Sequence, residues 1–110
     1  MNLKKDMTKN GQKLKELIEY PKQGIVSMEI IKTDNLDVGL FCMSKGTEMS
    51  DHTSTKEGTV LIVEGQGIFN LEGEDIKMSP NTLIYMKKNA IHSLRAESNL
   101  TFILTLFNAS

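Results

Sequence analysis

A chain of 110 residues is the size of one domain, long enough to bury roughly 60–70% of its unfolded surface around a core without disulfide or metal staples. Thirteen Lys and Arg against fourteen Asp and Glu leave a net charge of −1, which gives no electrostatic footprint for nucleic acid or an acidic membrane surface. The single cysteine, Cys42, has no intrachain partner. With no apolar run near the roughly 18 residues of a membrane span and no signal-peptide core, it points to a soluble protein in the reducing cytoplasm.

The first 22 residues carry six lysines against three acids, and the rest seven basic against eleven acidic residues. This is a mildly basic arm on a mildly acidic body, with no dense cluster that would make it a binding tail. Within the arm, Leu14, Leu17 and Ile18 recur at three and four, which predicts a short helix over residues 8–20, ended by Pro21. A helix this short needs something to lie against. Residues 1–23 are therefore read as an N-terminal arm and residues 24–110 as the main domain.

Beyond Gly24 the helical period gives way to short, β-rich runs. Residues 25–33 and 36–43 read as strands joined at Asp34-Asn35, and residues 59–63 and 67–71 as a hairpin through Glu64-Gly65-Gln66. Turns at Glu72-Gly73 and Pro80-Asn81 separate strands at 75–78 and 82–86, followed by strands at 91–96 and 100–107. About eight short strands with turn residues every 8–12 positions predict an all-β antiparallel sandwich or barrel. Glu48, four residues before His52, is read as lying in a loop.

The chain has two histidines, His52 and His92. The first lies in a stretch from Gly46 to Gly65, the second in Ile84–Ala96. These frames resemble the two motifs of the cupin superfamily, G-x5-H-x-H-x3-E-x6-G and G-x5-P-x-G-x2-H-x3-N. Gly46, His52 and Gly65 match the first motif, with Ser54 in place of its second histidine and Gly58 in place of its glutamate. In the second motif His92 matches, while Asn81, Lys87, Asn89 and Ala96 replace the Gly, Pro, Gly and Asn. The resemblance implies a jelly-roll β-barrel over about residues 25–107. Asn at 81 and 89 fits the turns that the family makes with glycine, because Asn tolerates positive φ best among the other residues.

The resemblance also implies a divalent transition metal (Zn, Ni, Cu, Fe or Mn) held inside the barrel by His52 and His92. Glu57, one residue before the family's glutamate position, is the weak candidate for a third ligand. Strand parity turns it away from the cavity unless Gly58 hosts a bulge, and Glu48 is a second carboxylate candidate. Two neutral imidazoles alone supply no charge to offset a dication, so Mn(II) loses most and Cu(II), Ni(II) or Zn(II) least. Ser54, Met43, Met49, Met86 and Phe41 are the pocket candidates, methionine because it fills irregular gaps and adapts to varied ligands. Cys42, inside an apolar run, reads as inert packing.

The expected function is small-molecule binding in a cavity marked by the two histidines. The alternative is a metal-dependent enzyme of the dioxygenase, isomerase or lyase type. Family resemblance further implies a homodimer, with the segment 24–33 as an exchanged strand, and the near-neutral net charge points to no nucleic-acid or membrane partner.

Overall fold

A computed structural model describes residues 11–108. Nine strands follow in chain order: β1 (Ile25–Lys32), β2 (Leu36–Met43), β3 (Glu48–His52), β4 (Glu57–Glu64), β5 (Gly67–Leu71), β6 (Glu74–Met78), β7 (Leu83–Met86), β8 (His92–Ala96) and β9 (Leu100–Phe107). They form two antiparallel sheets. One has the order β1-β2-β9-β4-β7 and the other β3-β8-β5-β6. This is the jelly-roll arrangement, and its two inner faces enclose the core. Met43, Val60, Ile62, Phe69, Met78, Leu100 and Phe102 are buried there. Most come from strand positions of one parity, such as Val60 and Ile62 on β4 and Leu100 and Phe102 on β9, as a two-residue period requires.

Three local expectations change. The helix expected at 8–20 contracts, within the described residues, to one 3-10 turn at Leu14–Glu16, residues 8–10 lying outside them. Three apolar positions cannot repay helix nucleation, and docking on the sheet wins. Leu17 is buried against Leu40 and Cys42 on the outer face of β2. Tyr20 then reaches across to donate to Glu64 Oε2 at 2.6 Å, and its oxygen lies 2.6 Å from Thr101 Oγ1. Burial, then the Glu64 carboxylate, hold this phenol well above its ordinary pKa, so it stays a donor.

The second change is an added strand. β3 occupies the expected loop, and its pairing with β8 slips between Met49 and His52. Its five residues are mostly exposed and polar, so neither an alternating pattern nor an apolar run marks it. Thirdly, Glu64-Gly65-Gln66 does not close a hairpin. β4 pairs with β7 and β9, whereas β5 pairs with β6 and β8. The turn is a corner at which the chain passes from one sheet to the other, and it lies against the matching corner between β8 and β9. There Gln66 O accepts the Glu97 and Ser98 N–H groups at 2.9 and 3.2 Å.

The turn chemistry read from the sequence is present in the backbone. Asn81 and Asn89 have φ of +72° and +63°. The β5–β6 hairpin turns through Glu72 and Gly73, at +52° and +89°, the pair of positive angles that suits the twist of a two-residue connection. Among the described residues, no helix is long and apolar enough to cross a membrane.

Candidate functional site

β3 and β8 are neighbours at the end of the second sheet, and their register sets His52 directly opposite His92. The two rings lie 4.1 Å apart between centroids and meet edge to face at 62°. His92 is 7% exposed, whereas His52 is exposed, so the pair runs from the barrel interior to its surface. Phe69 on β5 lies nearly parallel to the His92 ring, 6° apart in plane and 5.6 Å between centroids, and so fixes the imidazole's face.

The two rings share a second feature. His52 Nδ1 lies 2.8 Å from the carbonyl of Ser50, and His92 Nδ1 lies 3.1 Å from that of Ala90. A carbonyl can only accept, so each Nδ1 carries the hydrogen and each neutral ring keeps its lone pair on Nε2. This is the outer hydrogen bond that orients a ligating histidine. Here it is made twice by the same i, i−2 backbone contact.

Burial, the largest influence, pushes the His92 imidazole below its usual pKa. The Ala90 carbonyl pulls it back up, His52 lowers it further and Asp51 raises it. The unfolded imidazole binds its proton near pH 6.5 and the folded one only at lower pH. As pH falls through 6.5 the unfolded state therefore takes up the proton first, and the His92 contribution to stability is lost through the folded value. We expect the urea midpoint of the wild type to fall more between about pH 7.5 and about pH 5.5 than that of His92→Gln. Equal falls would refute the assignment.

Both histidines line a cavity of about 250 Å³ whose remaining wall is Phe41, Met49, Val60, Phe69, Met86, Leu94, Phe102 and Leu104. Phe41 and Phe102 stack within it, 5.2 Å apart and 3° from parallel. Of the residues singled out in the sequence, Phe41, Met49 and Met86 are thus in the wall with the two histidines. Met43 is fully buried in the core and is not in the wall. Ser54 also stands apart from it. Its hydroxyl accepts the Lys56 N–H at 3.0 Å, and its carbonyl accepts the Asn89 N–H at 2.8 Å, a tie between the two motif segments. Sequence reasoning misses Val60, Phe69, Leu94, Phe102 and Leu104. For Leu94 a signal exists, its place two residues after His92 on one strand.

Glu57 takes no part in the site. Its carboxylate accepts the Tyr85 hydroxyl at 3.1 Å, and Tyr85 is 55% exposed, so the contact lies on the outer face. The inward residue is Gly58, opposite Met86. Gly58 forms no bulge here: β4 keeps its register with β9 through residues 57–61 and with β7 through residues 58–61, so parity decides against Glu57. Glu48 is exposed and faces Arg95 across the strands. Among the described residues no three His, Cys, Asp or Glu converge. The family's set of three histidines and a glutamate therefore does not fit this chain, which offers two imidazoles and no carboxylate. Gly58→Glu would not simply restore the missing ligand either, since a Cβ at this position would sit 2.6 Å from the Thr105 carbonyl oxygen.

Comparison with known proteins agrees with this fold. An uncharacterized protein of Aquifex aeolicus is 27% identical over 100 residues, covering 88% of this chain and 82% of its own. A conserved protein of unknown function from Streptococcus pyogenes superposes with a TM-score of 0.83 at 19% identity, over 92% of this chain and 89% of that one. A cupin superfamily protein from Desulfitobacterium hafniense gives 0.81 at 19% identity, over 86% of each chain. At such identities the likeness is one of fold. Residues 39–107 match the family model of the cupin domain, and with more than half of its length so matched, this chain belongs to the cupin family.

Proposed function

We propose that this cupin binds a small, largely apolar molecule in its barrel cavity, with the molecule's polar end held by His52 and His92. The observation that carries the reading is the pair of spent Nδ1 atoms, which leaves two Nε2 lone pairs on rings that line one apolar cavity. A few placed polar groups in an apolar wall are what orient a ligand. A volume of about 250 Å³ is below the roughly 300 Å³ at which drug-sized pockets begin, so the ligand is a compact one. Because neutral Nε2 accepts, its polar end is a hydrogen-bond donor. Phenol and toluene are matched probes, alike in shape and different in that donor. Phenol is expected to bind more tightly, to shift the Met49 and Met86 methyl resonances, and to lose its advantage in His92→Ala. Equal affinity for the two probes, or shifts confined to other methyls, would overturn the reading.

A second reading is a weakly held divalent ion, on which a metal-dependent enzyme of the dioxygenase, isomerase or lyase type would rest. The closeness of the rings, 4.1 Å between centroids, favours it. Two imidazoles alone suit Cu(II), Ni(II) or Zn(II) above Mn(II) or Fe(II). Elemental analysis of untagged protein beside His52→Ala and His92→Ala tests it, and a metal content unchanged by both substitutions refutes it. We also propose a cytoplasmic homodimer built on the β1 edge, where Ile25, Val26 and Ile31 are 39–43% exposed. Light scattering that gave the 12.3 kDa of one chain would rule the dimer out.

A further inference from the structure

The histidines are not the cavity's only donors. Met49 lies on β3 three residues before His52, opposite Leu94 on β8, and Met86 lies on β7 opposite Gly58. Both methionines line the same wall as both imidazoles. At Gly58 the family pattern has its glutamate, so the cross-strand neighbour of the missing carboxylate is a thioether. We propose that the cavity is a cuprous site, in which His52 and His92 Nε2 and the Met49 and Met86 sulfurs hold one Cu(I) ion.

That ion fits on three physical grounds. Thioether sulfur is soft and selects Cu(I) over the harder divalent ions, while imidazole serves copper well. All four donors are neutral, and the cost of moving an ion from water into an apolar wall rises with the square of its charge. A monocation therefore loses less than a dication does when the carboxylate is missing. Methionine's three rotatable bonds let its sulfur adjust to an ion without moving the strands. The loss of the carboxylate at Gly58, which weakens a site for Mn(II) or Fe(II), is thus compatible with a site for a soft monocation.

The inference rests on the reading that both Nε2 lone pairs face a ligand, and its test separates the two ideas. Cu(I) is titrated anaerobically against the chromophoric chelator bathocuproine disulfonate, and Zn(II) is titrated in parallel. The wild type is compared with Met49→Leu/Met86→Leu, His52→Ala and His92→Ala. Methionine to leucine nearly conserves volume, and circular dichroism confirms that the barrel is kept. The expected result is one Cu(I) per chain, held at least tenfold less tightly by the methionine double variant, with Zn(II) affinity unchanged in that variant. Either histidine variant is expected to weaken both ions. X-ray absorption at the copper edge should show sulfur among the ion's neighbours. Cu(I) affinity unaffected by the methionine substitutions, or a copper spectrum without sulfur, overturns the cuprous site. If Zn(II) binding still depends on both histidines, the reading of the pair survives that result; if neither ion binds, the inference and the metal reading fall together.

Discussion

Gly65→Ala is expected to destabilise the protein on the order of 3–5 kcal/mol, at the far end of what one methyl group does. Two independent costs add. The backbone at Gly65 has φ of +93°, a conformation that costs an L-residue roughly 1–3 kcal/mol. In addition, a Cβ built there runs into the Asn99 carbonyl oxygen and sits 2.8 Å from Leu100 Cα. Both obstacles are backbone, and neither can step aside. Asn99 belongs to the β8–β9 corner and Leu100 opens β9, the strand paired with both β2 and β4. Gly73 supplies the control, with φ of +89° and nothing within 4 Å of its Cβ. Gly73→Ala should cost about 1–3 kcal/mol, the backbone share alone. Chemical denaturation of the two variants reads the difference, and similar midpoints would show that the two corners do not press on one another.

The second large effect is at Phe69, which is 1% exposed and serves the core and the site together. Phe69→Ala should cost about 3–5 kcal/mol, the transfer and cavity terms of a buried phenylalanine. The upper part of that range is expected, because β5 is paired on both sides, with β6 and β8, and cannot move inward to fill the space. The melting temperature should fall by more than about 10 °C. Phe69→Leu should recover most of the loss, leaving about 1 kcal/mol, yet it lacks the flat ring on which His92 lies. It is thus expected to keep the fold while loosening ligand binding at His92. A Phe69→Ala protein as stable as the wild type would mean that the barrel interior collapses freely around the site.

Much of this architecture is legible in the residues, and the exceptions have physical causes. β1, β2, β5 and β9 follow from β-branched and aromatic runs bounded by turn residues, and Asn81 and Asn89 keep the positive φ that glycine supplies elsewhere in the family. β3 is not legible, because Glu48–His52 is mostly polar and exposed, with a register slip in its middle. The three apolar positions that suggest a helix at 8–20 make their contacts from a single 3-10 turn and the residues just after it instead. Glu64-Gly65-Gln66 marks a turn correctly, but a turn's letters do not say whether its strands pair with each other or with others. In the site, the positions of His52 and His92 are legible through family resemblance. Their hydrogen-bonding state is not, because it depends on the carbonyls of Ser50 and Ala90. The wall residues Val60, Phe69, Phe102 and Leu104 come from both sheets, and no local pattern joins them.

Ligand binding at this site requires that both imidazoles spend Nδ1–H on the backbone and turn an unprotonated Nε2 to the cavity. Long-range 1H–15N correlation of the two rings reads this directly at about pH 8, above the ordinary imidazole range. A pyrrole-type Nδ1 and a pyridine-type Nε2 are expected in both His52 and His92, with the Nε2 signals moving when phenol or a metal ion is added. A proton on Nε2 of either ring in the free protein is incompatible with the site described.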